Sequence, residues 1–170
     1  MKRFSSAASL ALAVVVVLGL TGPVAAGEQV PFKGRLEAVE THTPLAPPFV
    51  MIDADATGRA SHLGKFTLDI EAILNFKTKA AVGSYEFTAA NGDTLTAVFT
   101  GQSSPAATPG VIYIEEIATI TGGTGRFAGA SGNFVCERLL DAATLASTGS
   151  LKGTIRLRDD DDDDGDGDGD

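Results

Sequence analysis

Residues 66–74 have the sequence FTLDIEAIL, in which apolar side chains occupy every second position. Alternation with a period of two is typical of a β-strand with one buried face. The same alternation recurs in SYEFTA at residues 84–89 and in LKGTIRLR at residues 151–158. Because no sustained 3.6-residue period interrupts residues 29–158, this pattern predicts a body built of strands.

Eight strands follow when the alternation is traced along the chain between its turn residues. Eight short strands in about 130 residues are typical of a β-sandwich or a closed β-barrel. Closure removes exposed edges, and an eight-stranded lumen is either packed or holds one small ligand. We predict an all-β fold, an eight-stranded antiparallel β-barrel. The strands are expected near residues 30–40, 49–60, 65–75, 82–90, 93–101, 111–121, 132–140 and 149–158.

The loop at residues 90–92 sets the register of one hairpin. A two-residue turn would pair Phe87 with Thr96 and would place Phe87 and Leu95 on opposite faces of the sheet. A three-residue loop pairs Phe87 with Leu95, so that the apolar faces coincide, and Gly92 tolerates the positive φ that such a loop needs. We predict the three-residue loop.

The first 26 residues have the features of an export signal. Lys2 and Arg3 give a basic start, residues 7–20 form a nearly unbroken apolar run, and residues 24–26 are small. The run of about 14 residues is shorter than the roughly 20 that span a bilayer. We predict a cleaved signal peptide over residues 1–26, a secreted or periplasmic protein, and no stable membrane span after processing; a retained anchor is the alternative.

Charge separates the body from the C-terminal residues. The chain has 13 Lys and Arg against 22 Asp and Glu, a net charge of −9, which disfavours nucleic acid as a partner. Nine of the acids lie in residues 159–170, whereas residues 27–158 are close to neutral. We therefore predict a barrel domain over residues 27–158 and a disordered Asp/Gly-rich tail over residues 159–170.

Part of the tail is similar to half of a calcium loop. Residues 160–165 follow the pattern D-x-D-x-D-G, but the bidentate acid that closes such a loop at its twelfth position is missing. A high-affinity metal site is therefore not expected. The tail could still bind calcium weakly or contact a cationic surface. Either role would suit a surface or matrix protein.

Three motifs carry a resemblance to a known family. They are SHLGKFT at residues 61–67, AANGDTL at residues 89–95 and ITGGTGRFAGASG at residues 120–132. In order and spacing, they resemble secreted bacterial proteins of the allene oxide cyclase barrel-like class, which are related in shape to plant dirigent proteins. The resemblance spans residues 30–158, and its most specific part is the glycine-rich motif.

The resemblance implies an eight-stranded antiparallel barrel whose lumen is often apolar. Relatives include cyclases and guides of phenoxy-radical coupling, and some relatives form trimers, which leaves a homo-oligomer open. We expect no cofactor, and no catalytic motif of the family can be carried over residue by residue. Fold leads to function here only by analogy.

Strand parity selects the residues that point into the lumen. They either fill it or line a cavity. Glu40 shares the parity of Leu36 and Ala38, and an acid in an apolar barrel has a raised pKa that suits a general acid. We expect a small apolar ligand in the barrel or at its mouth; the alternative is a cyclase or isomerase that uses Glu40. The candidate ligand-binding residues are Phe66, Leu68, Tyr85, Phe87, Leu95, Phe99 and Glu40.

Other titratable residues have simpler explanations. Asp53 and Asp55 are expected to face solvent. Of Glu115 and Glu116, one points inward if the strand is regular, whereas a bulge would turn both outward. Cys136 lies in mid-strand and is expected to be a small buried residue.

The histidines and glycines do not form a recognisable catalytic motif. The spacing of His42 and His62 matches no zinc-binding motif. His62 is expected to form a hydrogen bond with backbone atoms near its own β-turn. Ser61 beside His62 does not make a catalytic pair. The glycines of residues 122–125 lack a nucleotide-binding pattern, so we expect a tight crossing at which Phe127 plugs one end of the barrel.

Overall fold

The computed structural model describes residues 28–158. The predicted signal peptide, residues 1–26, and the predicted acidic tail, residues 159–170, lie outside the described residues. Within residues 28–158, no helix is long and apolar enough to cross a membrane.

Eight strands and one short 3₁₀ turn make up the described chain, which confirms the predicted fold class. The turn spans Gly125–Phe127, between the sixth and seventh strands. The strands are β1 (Gln29–Pro44), β2 (Phe49–Ala60), β3 (Gly64–Asn75), β4 (Ala80–Ala89), β5 (Thr94–Pro105), β6 (Val111–Gly123), β7 (Ser131–Asp141) and β8 (Ala146–Arg156).

Each strand is antiparallel to its neighbours in sequence, and β8 pairs with β1 to close the barrel. The connections therefore fall into two groups. What we call the closed end carries the connections at residues 61–63, 90–93 and 124–130, together with the start of β1 and the end of β8. What we call the open end carries the connections at residues 45–48, 76–79, 106–110 and 142–145.

The β4–β5 hairpin has the predicted register. Phe87 is opposite Leu95 and Tyr85 is opposite Ala97. Gly92 has a φ of 89°, a conformation that a glycine adopts without steric cost. The apolar faces of β4 and β5 therefore both point into the barrel.

Aromatic side chains fill the half of the lumen next to the closed end. The Phe66 and Phe87 rings meet edge to face with centroids 5.2 Å apart, and the Tyr85 ring stacks on Phe99 at 4.5 Å. Edge-to-face and offset stacks are the favoured geometries of aromatic pairs. Phe127 is fully buried at this end, which confirms the predicted plug.

Candidate functional site: a cavity at the open end of the barrel

The seven residues selected by parity are all buried, but they divide between two regions. Glu40 lies in the open half of the lumen and lines a cavity there. The others belong to the packed core and do not line that cavity, so their contact with a ligand stays a prediction. Those six are Phe66, Leu68, Tyr85, Phe87, Leu95 and Phe99.

A cavity of about 350 Å³ occupies the open half of the lumen. Its walls are mostly aliphatic, and include Ile52, Ile70, Leu74, Ile114 and Leu140. Small-molecule sites in proteins occupy roughly 300–1,000 Å³, so the cavity is at the low end of that range. The lumen is therefore packed at one end and hollow at the other.

The inner end of this cavity is a buried network of charged side chains. Arg138 donates from Nη1 to Glu40 Oε1 at 2.5 Å, and from Nη2 to Glu116 Oε1 at 2.8 Å. Its Nε donates to Glu116 Oε2 at 3.1 Å, so the contact with Glu116 is bidentate. The Tyr85 hydroxyl also donates to Glu116 Oε2. Each of these four side chains is at most 4% exposed.

Three strands bring the charged groups together. Glu40 lies on β1, Glu116 on β6 and Arg138 on β7, each at an inward position of its strand. Two glycines leave room for them. A Cβ at Gly149 would lie 2.7 Å from Arg138 Cγ, and one at Gly101 would lie 3.1 Å from Glu116 Cγ.

Every polar side-chain atom of this network has a partner. No buried side-chain nitrogen or oxygen of the described residues lacks a hydrogen bond. A buried charge is tolerated only when it is paired and hydrogen-bonded in this way. The network is therefore a fixed floor for the cavity, complete before any ligand arrives.

Burial and charge shift the pKa values of three groups around this floor. Burial lowers the pKa of the Arg138 guanidinium, but the carboxylates of Glu116 and Glu40 outweigh it and leave the pKa above its ordinary value. Burial, with a smaller effect of Glu116, raises the pKa of Tyr85 well above 10.0. The same two causes raise the pKa of the Cys136 thiol above 9.0. Tyr85 and Cys136 are therefore neutral at ordinary pH.

His42 connects the charged floor to the mouth of the cavity. Its Nε2 lies 2.9 Å from Glu40 Oε2, and its side chain is 27% exposed. Glu40 thus has both oxygens engaged, one by Arg138 and one by His42. Glu40 points into the lumen, as predicted, but its surroundings are not wholly apolar, because the barrel brings a guanidinium to it.

The remaining candidates lie where their simpler explanations place them. Asp53 and Asp55 are exposed, and Cys136 is buried, as predicted. Glu116 points inward and Glu115 outward, because β6 is regular at this point; its register shift lies elsewhere, opposite Thr96 and Ala97.

The closed end holds the second histidine. His62 Nε2 lies 3.2 Å from the carbonyl oxygen of Pro31, the predicted contact with nearby backbone. Ser61 Oγ donates to the same carbonyl, so the serine and the histidine are not aimed at each other. Residues 28–158 hold no group of three or more His, Cys, Asp or Glu side chains arranged to hold a metal ion.

Arg138, Glu116 and His42 are polar residues of the site that sequence reasoning did not select as ligand-binding. A signal for Arg138 existed. It shares the parity of Phe134, Cys136 and Leu140, so the alternation places a charged residue at an inward-facing position of this strand. The contact with Glu40 spans 98 positions, and only closure of the barrel brings these two residues together.

Comparison with known proteins identifies the fold. No protein-family model matches the chain, and no curated protein matches it. Among solved structures, that of a pterocarpan synthase dirigent protein matches with a TM-score of 0.54 and 13% identity, over 88% of this chain and 100% of the other. The barrel is dirigent-like. At this identity the likeness is one of fold, and the resemblance to allene oxide cyclase barrel-like proteins stays a prediction.

Proposed function

We propose that this protein binds a small, mostly apolar molecule in the cavity at the open end of its barrel. The observation that carries the proposal is the cavity itself, about 350 Å³ with aliphatic walls and a charged inner end. Apolar pockets with a few convergent polar groups are the usual form of small-molecule sites. The dirigent-like fold also supports the proposal, since it leaves such a lumen open to one side.

Binding would draw on two contributions. Burial of apolar ligand surface against residues such as Ile70 and Leu140 is worth about 25 cal/mol per Å². Orientation comes from the polar groups at the inner end, where His42 and Glu40 are positioned to meet a hydroxyl or amino group of the ligand. Because Arg138 already pairs with Glu40, binding needs no rearrangement of the buried charges.

Two neighbouring positions on β4 give a matched test. Ala81 lines the cavity, whereas Val82 is 57% exposed on the outside of the barrel. Ala81→Phe should fill the cavity and abolish the fluorescence rise of N-phenyl-1-naphthylamine, a neutral apolar dye, while Val82→Phe should bind it as the native chain does. Equal dye binding by native chain and Ala81→Phe, with both folded, would overturn the proposal.

Acid–base catalysis on the bound molecule is a second candidate, and one contact favours it. The 2.9 Å contact between His42 Nε2 and Glu40 Oε2 orients an imidazole at the cavity, as in sites where a carboxylate positions a catalytic histidine. In this alternative, the cyclase or isomerase would use His42 as the proton carrier, and Glu40 would position it.

A single variant separates binding from catalysis. A ligand extracted from the native protein would be incubated with native chain and with His42→Gln, and its structure followed by mass spectrometry and NMR. Conversion that is lost in His42→Gln while the ligand still binds would support catalysis. Binding without conversion by the native chain would restrict the protein to a binding role.

Export is a separate part of the proposal and rests on the sequence. The basic start, apolar run and small residues of residues 1–26 support removal of a signal peptide and a secreted or periplasmic destination. N-terminal sequencing of the mature protein should begin at Gly27. An uncleaved N-terminus in a membrane fraction would favour the retained anchor.

A further inference from the structure

The outer wall of the barrel carries a groove lined by cations. This groove, of about 1300 Å³, crosses β3, β2, β1, β8, β7 and β6, and its cations lie on the half nearer the closed end. Lys33, Arg35, Arg59 and Lys65 line it, and Lys152 lies directly opposite Lys33 across the β1–β8 pair. We call these five residues the basic groove. All five are exposed.

The strand register brings these like charges face to face. Arg35 is opposite Arg59 across β1 and β2, and Arg59 is opposite Lys65 across β2 and β3. Like charges directly opposite each other destabilise a sheet. In residues 28–158, none of the five cations has an acidic partner within 4.0 Å. The basic groove is therefore uncompensated within the described chain.

Acids border the groove without neutralising it. Glu37 and Glu137 line its far side. Glu137 accepts a hydrogen bond from the Tyr113 hydroxyl at 2.6 Å, which ties its carboxylate to a neighbour other than a cation. The larger group of exterior acids lies further along β2 and β3, toward the open end, and on β4: Asp53, Asp55, Asp69, Glu71 and Glu86.

We propose that the aspartate-rich segment of residues 159–170 lies across the basic groove of its own chain. Its nine aspartates are the complement of the five cations. The segment follows directly on Arg158, at the closed end, where β8 leaves the barrel next to the groove. This inference concerns the outer wall and does not depend on the proposed ligand cavity.

The distances suit this placement. Adjacent strands lie about 4.8 Å apart, so Lys65 on β3 is roughly 10 Å from Arg35 on β1. Twelve residues in extended form reach about 40 Å, enough to turn back along β8 and cross these strands. Each contact is a weak surface ion pair, but a tethered segment meets the groove at a high effective concentration. The contacts are exposed, so salt screens them.

A paramagnetic probe at the end of the segment tests this directly. Asp170→Cys in the full chain would be coupled to a nitroxide, since Cys136 is fully buried and does not compete for the label. At low salt, the amide signals of residues 33–35 and 59–65 should broaden, whereas those around residues 76–79 at the open end should not. The broadening should be lost at about 0.5 M salt, where the Debye length is short.

Matched charge variants show whether the groove is responsible. Arg35→Gln with Arg59→Gln should remove the broadening, whereas Lys77→Gln with Lys79→Gln, an equal charge change at the open end, should keep it. A mixture of labelled unenriched chain and unlabelled ¹⁵N-enriched chain should show none, because the contact is within one molecule. The proposal would be overturned if no broadening occurred at low salt, or if the Arg35→Gln and Arg59→Gln variant kept it. It would also be overturned if the mixture showed equal broadening, because a second copy would then supply the acidic segment.

Discussion

The two halves of the lumen share one wall and differ in what points inward from it. In the closed half, Phe66 and Phe87 interlock and Phe127 covers the end, so the space is filled. In the open half, the inward positions hold smaller aliphatic side chains, with one glycine beside Arg138 and another beside Glu116, and about 350 Å³ is left open. Strand alternation sets which residues point inward, whereas side-chain volume sets whether a ligand has room.

The boundary between the halves explains why both exist in one barrel. Tyr85 belongs to the aromatic cluster through its ring and to the charged network through its hydroxyl. The network therefore seals the packed half against the cavity and presents polar groups to whatever enters. Variants on either side of the boundary test this division.

Loss of the central cation should have the largest effect on stability. Arg138→Met leaves Glu40 and Glu116 buried without their partner. Breaking a buried ion pair from one side costs about 3–5 kcal/mol. The free energy of unfolding, measured with urea, should fall by that amount.

A compensated variant distinguishes the ion pair from simple packing. Replacing all three charges together, with Glu40→Leu, Glu116→Leu and Arg138→Met, should recover most of the loss, because apolar replacements of a whole buried network are often tolerated. If Arg138→Met alone were as stable as the native chain, the charged network would not stabilise the boundary between the packed and the hollow half of the lumen.

Two leucines compare the halves directly. Leu95 lies in the packed core, whereas Leu140 lines the cavity. Leu95→Ala should cost about 3–4 kcal/mol, since it opens a new void, and Leu140→Ala about 2 kcal/mol, the low end for a buried leucine, since its site already borders empty space. Thermal or urea unfolding of both variants would measure the difference. Equal costs would contradict the contrast between a packed and a hollow half.

Replacing the glycines that make room for the charged floor should lower the free energy of unfolding, and more at the glycine with the closer contacts. A Cβ at Gly149 would lie 2.7 Å from Arg138 Cγ and 2.9 Å from the Glu137 carbonyl oxygen, so Gly149→Ala should cost about 1–3 kcal/mol. At Gly101 the nearest atom is Glu116 Cγ at 3.1 Å, and Gly101→Ala should cost less. Unfolding in urea ranks the two, and the reverse order would contradict the described packing.

Alkaline pH should weaken the barrel through Tyr85. The folded chain keeps the Tyr85 proton above pH 10.0, where the unfolded chain loses it, so stability falls as pH rises past that value. Cys136 acts in the same direction above its ordinary value of 9.0. Tyr85→Phe should make the loss of stability with rising pH smaller but should not abolish it, because Cys136 still contributes.

Tyrosinate absorbance checks the same point in the folded protein. The chain has two tyrosines, and the Glu137 hydrogen bond raises the pKa of the half-buried Tyr113 to about 12. Tyr113→Phe leaves only Tyr85, whose absorbance at the tyrosinate band should stay low at about pH 11 until the protein unfolds. A normal titration near pH 10 in the folded variant would show that Tyr85 is not shielded.

The fold could be predicted from the sequence because the patterns that determine it involve residues close together in the chain. Alternation in residues 66–74 and the loop at residues 90–92 involve neighbours in the chain, and they suffice for the strands and for one hairpin register. The inward position of Glu40 follows from the same parity. The partners of Glu40 do not, because Arg138 reaches it only when β8 closes on β1. Likewise, the cavity depends on volumes summed around the whole barrel, which no single strand contains.

Native mass spectrometry of the purified protein, before and after mild organic extraction, shows whether the cavity at the open end holds a small molecule. We expect a reproducible non-covalent adduct of small mass that extraction removes, and that is present in Val82→Phe and absent in Ala81→Phe. A bare mass in repeated preparations, together with no binding of the apolar dye, would contradict the claim that the open end of the barrel holds a small molecule.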